Sequence, residues 1–329
     1  RDRDVTGVQT CALPILYSEI PENTGQFRNP VVTIGNFDGV HTGHRKIIET
    51  LLHKSREHNG EPFVITFRNH PRTVIHPGSV CRVITTVEEK QKALYELGIT
   101  NIVMLDFTRE LSQLTAEQFY NGLLVERLKA REIVIGYDHA FGKNREGNID
   151  FLLKLSQQTG VEITQIGEES CGNEIISSTL LRTEIDSGNM DKVEILLGRR
   201  YTLTGKVVKG AGRGGAKLGF PTANILPDNP DKIIPSGGVY AVKVFLPSGE
   251  MKKGMLNIGL NPTFNGSEIT GKFIEVNIFD FSSDIYGAYL TVEFYDRIRD
   301  EKKFPSAQDL IAQLKNDESL IRKILDEKG

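Results

Sequence analysis

Two histidines three residues apart, His41 and His44, follow directly on the turn Gly35-Asn-Phe-Asp-Gly39. At that spacing, about one helical turn, both rings can face the same phosphate group. Gly35 and Gly39 let the backbone approach a ligand closely. A helix starting at this point offers free N–H groups and the positive end of its dipole, which suits phosphate. A second anion signal is Ile176-Ser177-Ser178-Thr179-Leu180-Leu181-Arg182. Its hydroxyls cap a helix, and Arg182 sits one turn in, where a guanidinium forks onto phosphate oxygens. A third runs from Lys209 to Asn224. Gly210, Gly212, Gly214, Gly215 and Gly219, among three bases, make a cationic loop whose N–H groups can wrap phosphates. It is neither a Walker loop nor a dinucleotide fingerprint. Finally, Phe273-Ile-Glu-Val-Asn-Ile-Phe-Asp-Phe281 alternates with period two. Ile274, Val276 and Ile278 share one face, and Glu275 stands off it, able to reach a substrate.

These residues need elements to hold them. The run Val31-Val-Thr-Ile34 reads as a buried strand feeding the helix that begins near His44, the opening of a parallel α/β nucleotide-binding unit. Further strands are expected at 62–67, 102–105 and 133–135, with helices over 45–58, 86–97 and 115–128. Thr115 and Gln118 form a capping box at the start of the last. Alternating strands and helices give a parallel sheet covered on both faces. From Tyr201 the texture changes to strands and turns: 201–208, 238–245, 254–258, 273–281 and 290–295. This suggests a small antiparallel barrel, with a last helix over 306–326 packed on it. Glu293 reads as a surface carboxylate.

Composition narrows the classes. The chain has 329 residues, enough for two cores, and its 25% charged residues sum to a net charge of −3. That argues against a general nucleic-acid binder. No apolar run approaches the roughly 18 residues of a membrane helix. Cys11, Cys81 and Cys171 match no zinc or redox spacing, so a reduced, cytoplasmic protein is expected. Residues 1–15 lack a core pattern and an initiator Met, and are expected to be a non-native extension.

Gly-Asn-Phe-Asp-Gly-Val-His-Thr-Gly-His, 35–44, resembles the signature of the His-x-Gly-His nucleotidyltransferases. In this longer form it is similar to the bacterial bifunctional riboflavin kinase/FMN adenylyltransferases. Phe220-Pro-Thr-Ala-Asn224 likewise resembles the riboflavin kinase motif. The resemblance implies an α/β plus β architecture. A Rossmann-like adenylyltransferase domain with a parallel sheet spans 16–188. A six-stranded antiparallel β-barrel kinase domain with a terminal helix spans 189–329. The first domain would join FMN to AMP from ATP, giving FAD and pyrophosphate. The second would phosphorylate riboflavin with ATP.

By this resemblance Gly35, Phe37 and Gly39 meet ATP phosphates, and His41, His44 and Arg182 stabilise the transferring charge. Ser177, Ser178 and Thr179 hold the β- and γ-phosphates. Lys209, Gly210, Gly212, Gly214 and Gly219 bind ATP in the kinase. Thr222 and Asn224 organise Mg2+, and Glu275 is the general base. Asp138, Phe141 and Arg299 touch the flavin; His139 stands where the family usually has an aromatic. The implied partners are small molecules only, with neither nucleic acid nor membrane, in a monomer or weak oligomer. Two other classes fit less well. One is an adenylyltransferase whose barrel merely senses flavin, which the intact Thr222, Asn224 and Glu275 oppose. The other is an aminoacyl-tRNA synthetase-like protein, opposed by the mild acidity and the lack of a tRNA-binding segment.

Overall fold

The computed structural model describes residues 14–210, 219–260 and 272–328. The chain forms two units. The first runs to Cys81 and resumes over Val87–Glu169; the second takes Arg82–Thr86 and everything from Ser170.

The first unit is built on a parallel sheet. Its strands are β1 (Ile15–Tyr17), β2 (Val31–Ile34), β3 (Pro62–Phe67), β4 (Asn101–Leu105), β5 (Glu132–Gly136) and β6 (Glu162–Ile166). They lie in the order β1-β4-β3-β2-β5-β6. The inner strands are apolar on both faces because helices cover both. Val32, Ile34, Phe63, Ile65 and Val103 enter one core, while Val31, Val64, Ile102 and Met104 enter the other. Strand order reverses at β2, between β3 and β5, which is where such sheets open a ligand crevice at their carboxyl ends.

Several expectations shift here. Ile15 belongs to the edge strand, its N–H donating to Thr100 O at 2.7 Å, so an extension ending at residue 15 would cut into the sheet. Residues 1–13 lie outside the described residues. The Thr115/Gln118 capping box forms as expected. The helix behind it, however, is α-helical only over Ala116–Gln118 and then a π-helix over Phe119–Arg127. The edge strand β6 carries a polar, half-exposed sequence with no clear strand signal.

The second unit starts with a small hairpin, β7 (Ser170–Cys171) and β8 (Glu174–Ile175). Its barrel strands are β9 (Tyr201–Val208), β10 (Ala223–Pro227), β11 (Gly238–Phe245), β12 (Met251–Leu260), β13 (Lys272–Ile278) and β14 (Tyr289–Arg299). They close in the order β10-β13-β12-β11-β14-β9, every pair antiparallel. Leu203, Val207, Ile225, Val242, Leu256, Val276 and Phe294 fill the interior. The helix Ala307–Glu327 lies outside, setting Ile321 and Leu325 on Val239, Ala241, Met255, Phe279 and Tyr295.

Arg82–Thr86 is part of this unit. Val83 N–H donates to Asp231 O (2.7 Å) and Val83 O accepts from Ile233 N–H (2.9 Å). Ile84 is fully buried in the barrel-side core, and its carbonyl accepts from Lys232 Nζ at 2.7 Å. Arg82 forks onto Asp186 at 2.5 and 2.6 Å. The helix Ser178–Ser187 clusters here too, although a division at residue 188 assigns it to the preceding domain.

Candidate active sites

In the first unit β2 is buried throughout and runs into the turn at 35–40. Three residues there hold positive φ: Phe37 (48°), Gly39 (87°) and Val40 (42°). Phe37 folds back under the turn. A Cβ on Gly35 would come within 3.0 Å of the Phe37 ring, so only glycine fits without displacing it. His41 is the N-cap of the helix Thr42–Glu57 and is 5% exposed. Its Nδ1 accepts from His44 N–H at 3.3 Å, so in the neutral ring the proton sits on Nε2. The His41 and His44 rings stack, with centroids 3.6 Å apart and planes 16° from parallel, and Phe37 meets His44 edge-on at 5.1 Å. The first helical turn holds no acidic residue, which leaves its positive end for an anion.

This turn opens into a cavity of about 1280 Å3 at the carboxyl ends of β2, β3 and β5. Gly35, Phe37, His44, Asp138 and Phe141 line it; His41 sits behind His44 rather than on the wall. The cavity also gathers Arg72, His76, Arg109, Lys143 and Arg145, none of which stood out in the sequence. Only the basic pair flanking Asn144, just after Gly142, carried a local signal. His70 joins the wall while its Nδ1 accepts from Arg72 N–H (3.1 Å), capping the short helix Pro71–Ile75. His139 lies tilted against Phe141, with centroids 5.7 Å apart, and its Nε2 is buried without a hydrogen bond. Burial pushes its pKa down to about 4, against the opposing pull of Asp138.

In the second unit Ser177 Oγ caps its helix by accepting from Leu180 N–H at 3.2 Å. Arg182, one turn on, donates from Nε to Arg82 O at 2.9 Å. On the barrel, Ile274, Val276 and Ile278 point into the core and Glu275 lies on the other face, half-buried. Register sets Glu275 directly across from Asn224 on β10 and Asn257 on β12. Asn224 packs against Gly210 so closely that a Cβ there would overlap its amide. Asn277 Nδ2 donates to Pro221 O at 2.7 Å, pinning the turn that carries Thr222. Thr222 lines a cavity of about 320 Å3 with Val207, Ala223, Val276 and Tyr286. Lys209, Gly210 and Gly219 belong to the described residues, whereas Gly212 and Gly214 lie outside them.

A family model for FAD synthetase matches residues 24–180, and one for riboflavin kinase matches residues 197–325. The bifunctional riboflavin kinase/FMN adenylyltransferase of Listeria monocytogenes serovar 1/2a is 36% identical over 306 residues, covering 92% of this chain and 95% of its own length. That of Escherichia coli K12 is 35% identical over 292 residues, covering 89% and 91%. This chain belongs to that bifunctional family. Its N-terminal domain is the FAD synthetase and its C-terminal domain the riboflavin kinase. ATP, riboflavin, FMN and FAD are its substrates and products. A crystal structure from Streptococcus pneumoniae titled a macrolide-efflux protein has a TM-score of 0.84 at 32% identity, covering 94% of this chain and 99% of that one. Among the described residues of the present chain, no helix is long and apolar enough to cross a membrane.

Two kinase residues are engaged in ways the sequence concealed. Glu293 is not a bare surface carboxylate: it is half-buried and accepts from the Tyr295 hydroxyl at 2.9 Å. Arg299 donates from Nε to Asp317 Oδ2 at 2.9 Å and from an Nη to Asp300 O at 2.9 Å. Asp317 is 2% exposed, so this pair ties the end of β14 to the terminal helix. In the synthetase, His58, Glu132 and Glu162 cluster at the amino ends of β5 and β6, away from the cavity. Lys54 and Arg131 balance these carboxylates, and the cluster reads as an ion-pair network.

Proposed function

We propose that the two reactions are carried by the residues set out above. The synthetase cavity takes FMN and ATP together, with Asp138 and Phe141 beside the flavin. An FMN phosphate oxygen bonds to the α-phosphorus of ATP, the α–β bridging bond breaks, and pyrophosphate leaves. No protein nucleophile is needed. His44 and the Nε2–H of His41 stabilise the charge on the transferring phosphate, aided by the positive end of their helix dipole. Ser177, Ser178, Thr179 and Arg182 hold the departing pyrophosphate, which is why we draw the synthetase boundary at residue 188 rather than before the hairpin.

In the kinase the riboflavin 5′-hydroxyl bonds to the γ-phosphorus, the β–γ bridge breaks, and ADP leaves. Glu275 takes the hydroxyl proton. Lys209 and the glycines 210, 212, 214 and 219 cradle the phosphates. The Thr222 hydroxyl and Asn224 amide oxygen are hard donors, few in number, on a half-open face, which suits Mg2+. When bound, Mg2+ would neutralise phosphate charge. Arg299 serves the flavin from its anchored position on Asp317. We further place the enzyme in the reducing cytoplasm, as a monomer or weak oligomer, in keeping with three cysteines whose spacing matches no zinc or redox motif.

The observation that carries the kinase assignment is the cross-strand register of Glu275 with Asn224. Glu275→Gln keeps the shape and removes the base. FMN formation from riboflavin should fall by roughly 10²–10⁴, while FAD formation from supplied FMN continues. Glu293→Gln should leave both activities in place. Near-normal phosphorylation in Glu275→Gln, or its collapse in Glu293→Gln, would move the base to the other strand.

A further inference from the structure

Lys90 takes no part in the chemistry above, yet it is 5% exposed. It sits in the helix Val87–Glu96, within a run of charged residues that reads as a solvated face. Its ammonium turns inward instead. Nζ donates to Asn36 O at 2.8 Å and to Phe67 O at 2.9 Å, and lies 3.4 Å from Thr66 Oγ1. Thr66 Oγ1 donates to the same Asn36 carbonyl at 3.0 Å.

The two carbonyls matter because of where they are. Asn36 is in the turn between β2 and His41, and Phe67 ends β3; both line the synthetase cavity. That turn holds two non-glycine residues at positive φ, Phe37 and Val40. Such backbone persists only where its surroundings over-determine it. Burying an ammonium is costly, and burial pulls the Lys90 pKa down to about 8 against the pull of Asp38. A Leu or Met would fill the space without that cost, so the cation is retained for what it binds.

We propose that Lys90 is a positioning residue for adenylyl transfer: its ammonium clamps the Asn36 carbonyl to the end of β3 and so aims His41 and His44. This rests on the phosphate role given to the two histidines. The clamp acts through the turn and not on substrate, so its removal lowers kcat more than it raises KM.

The test uses the full chain and a double-mutant cycle. Lys90→Met should cut kcat for FAD formation on the order of 10–10²-fold, with KM for FMN within about threefold. Riboflavin phosphorylation in the same preparation should stay within about twofold. Combined with His44→Ala, the loss should be no more than about threefold beyond the worse single variant, because both changes disable one device. A merely structural lysine would give losses that multiply. Lys90→Gln, which keeps two N–H donors on a shorter arm, should show the same non-additivity and serves if Lys90→Met does not fold. Multiplying losses, or a normal kcat in Lys90→Met, overturn this proposal alone. A normal rate in His44→Ala overturns the histidine reading, and the proposal with it.

Discussion

The imidazole of His41 is assigned two tasks, and one pair of substitutions separates them. Its Nδ1 caps the helix Thr42–Glu57 by accepting from His44 N–H. Its Nε2–H is the group we assign to the phosphate. His41→Ala removes both. At 3.3 Å the cap is longer than the usual 2.9–3.0 Å, so its loss belongs at the low end of the range, about 0.5–1 kcal/mol. That would lower the thermal midpoint of the synthetase by about 1–4 °C. Losing a preorganised charge stabiliser is worth more, about 2.7–4 kcal/mol of barrier, or 10²–10³ in rate. His41→Asn keeps a good cap and loses only the ring. It should therefore melt near the parent temperature and still make FAD roughly 10²–10³ more slowly. The assay follows FMN conversion to FAD by chromatography, with riboflavin phosphorylation in the same preparation as the internal control. Normal FAD formation in His41→Asn, with a deficit in His41→Ala that tracks its melting point, would reduce His41 to a helix cap.

Two further outcomes concern stability. His139 is held neutral with a pKa of about 4, whereas in the unfolded chain it titrates at its ordinary value near 6.5. Between those values the unfolded state binds the extra proton, so stability rises with pH across that window and falls on acidification, by at most about 3 kcal/mol. Urea unfolding of His139→Phe should show a flatter profile from pH 6.5 to 4; an unchanged slope would contradict the burial argument. Arg299→Met leaves the buried Asp317 carboxylate with the Gln313 amide but without its cation, and should destabilise the kinase by about 3–5 kcal/mol in denaturant unfolding. A loss of flavin turnover at unchanged stability would instead assign Arg299 to the substrate alone.

How much of this was legible depends on how local the signal is. The strands Pro62–Phe67, Tyr201–Val208 and Gly238–Phe245 lie where the sequence predicts, because apolar or alternating runs end at Gly or Pro. Glu275 was readable for the same reason, since period two sets it off the aliphatic face. The nearness of His41 and His44 was readable from their spacing, though not that the rings stack. The π-helix Phe119–Arg127 was not, because nothing in a side-chain pattern marks hydrogen bonds reaching five residues back. Strand β10 was hidden because its first residues belong to the Phe-Pro-Thr-Ala-Asn motif, which reads as loop. Arg72, Arg109 and Lys143 reach one cavity from three separate short helices, an assembly that only the fold produces. Lys90 carried no signal, because nothing in a charge run marks which lysine turns inward, and only the carbonyls of Asn36 and Phe67 explain its direction.

The excursion of Arg82–Thr86 into the kinase has a consequence for how the two activities can be parted. The polypeptide passes from one unit to the other at Cys81, returns after Thr86, and crosses again at Glu169. A protease nick between Glu169 and Ser170 would therefore not set the halves free, because the short inserted segment still tethers them. A gene truncated to begin at Ser170 would have the opposite defect. Its product would lose the Arg82 partner of Asp186, the Ile84 carbonyl that Lys232 binds, and the fully buried Ile84 side chain. The kinase is thus complete only when five residues encoded within the synthetase are threaded into it.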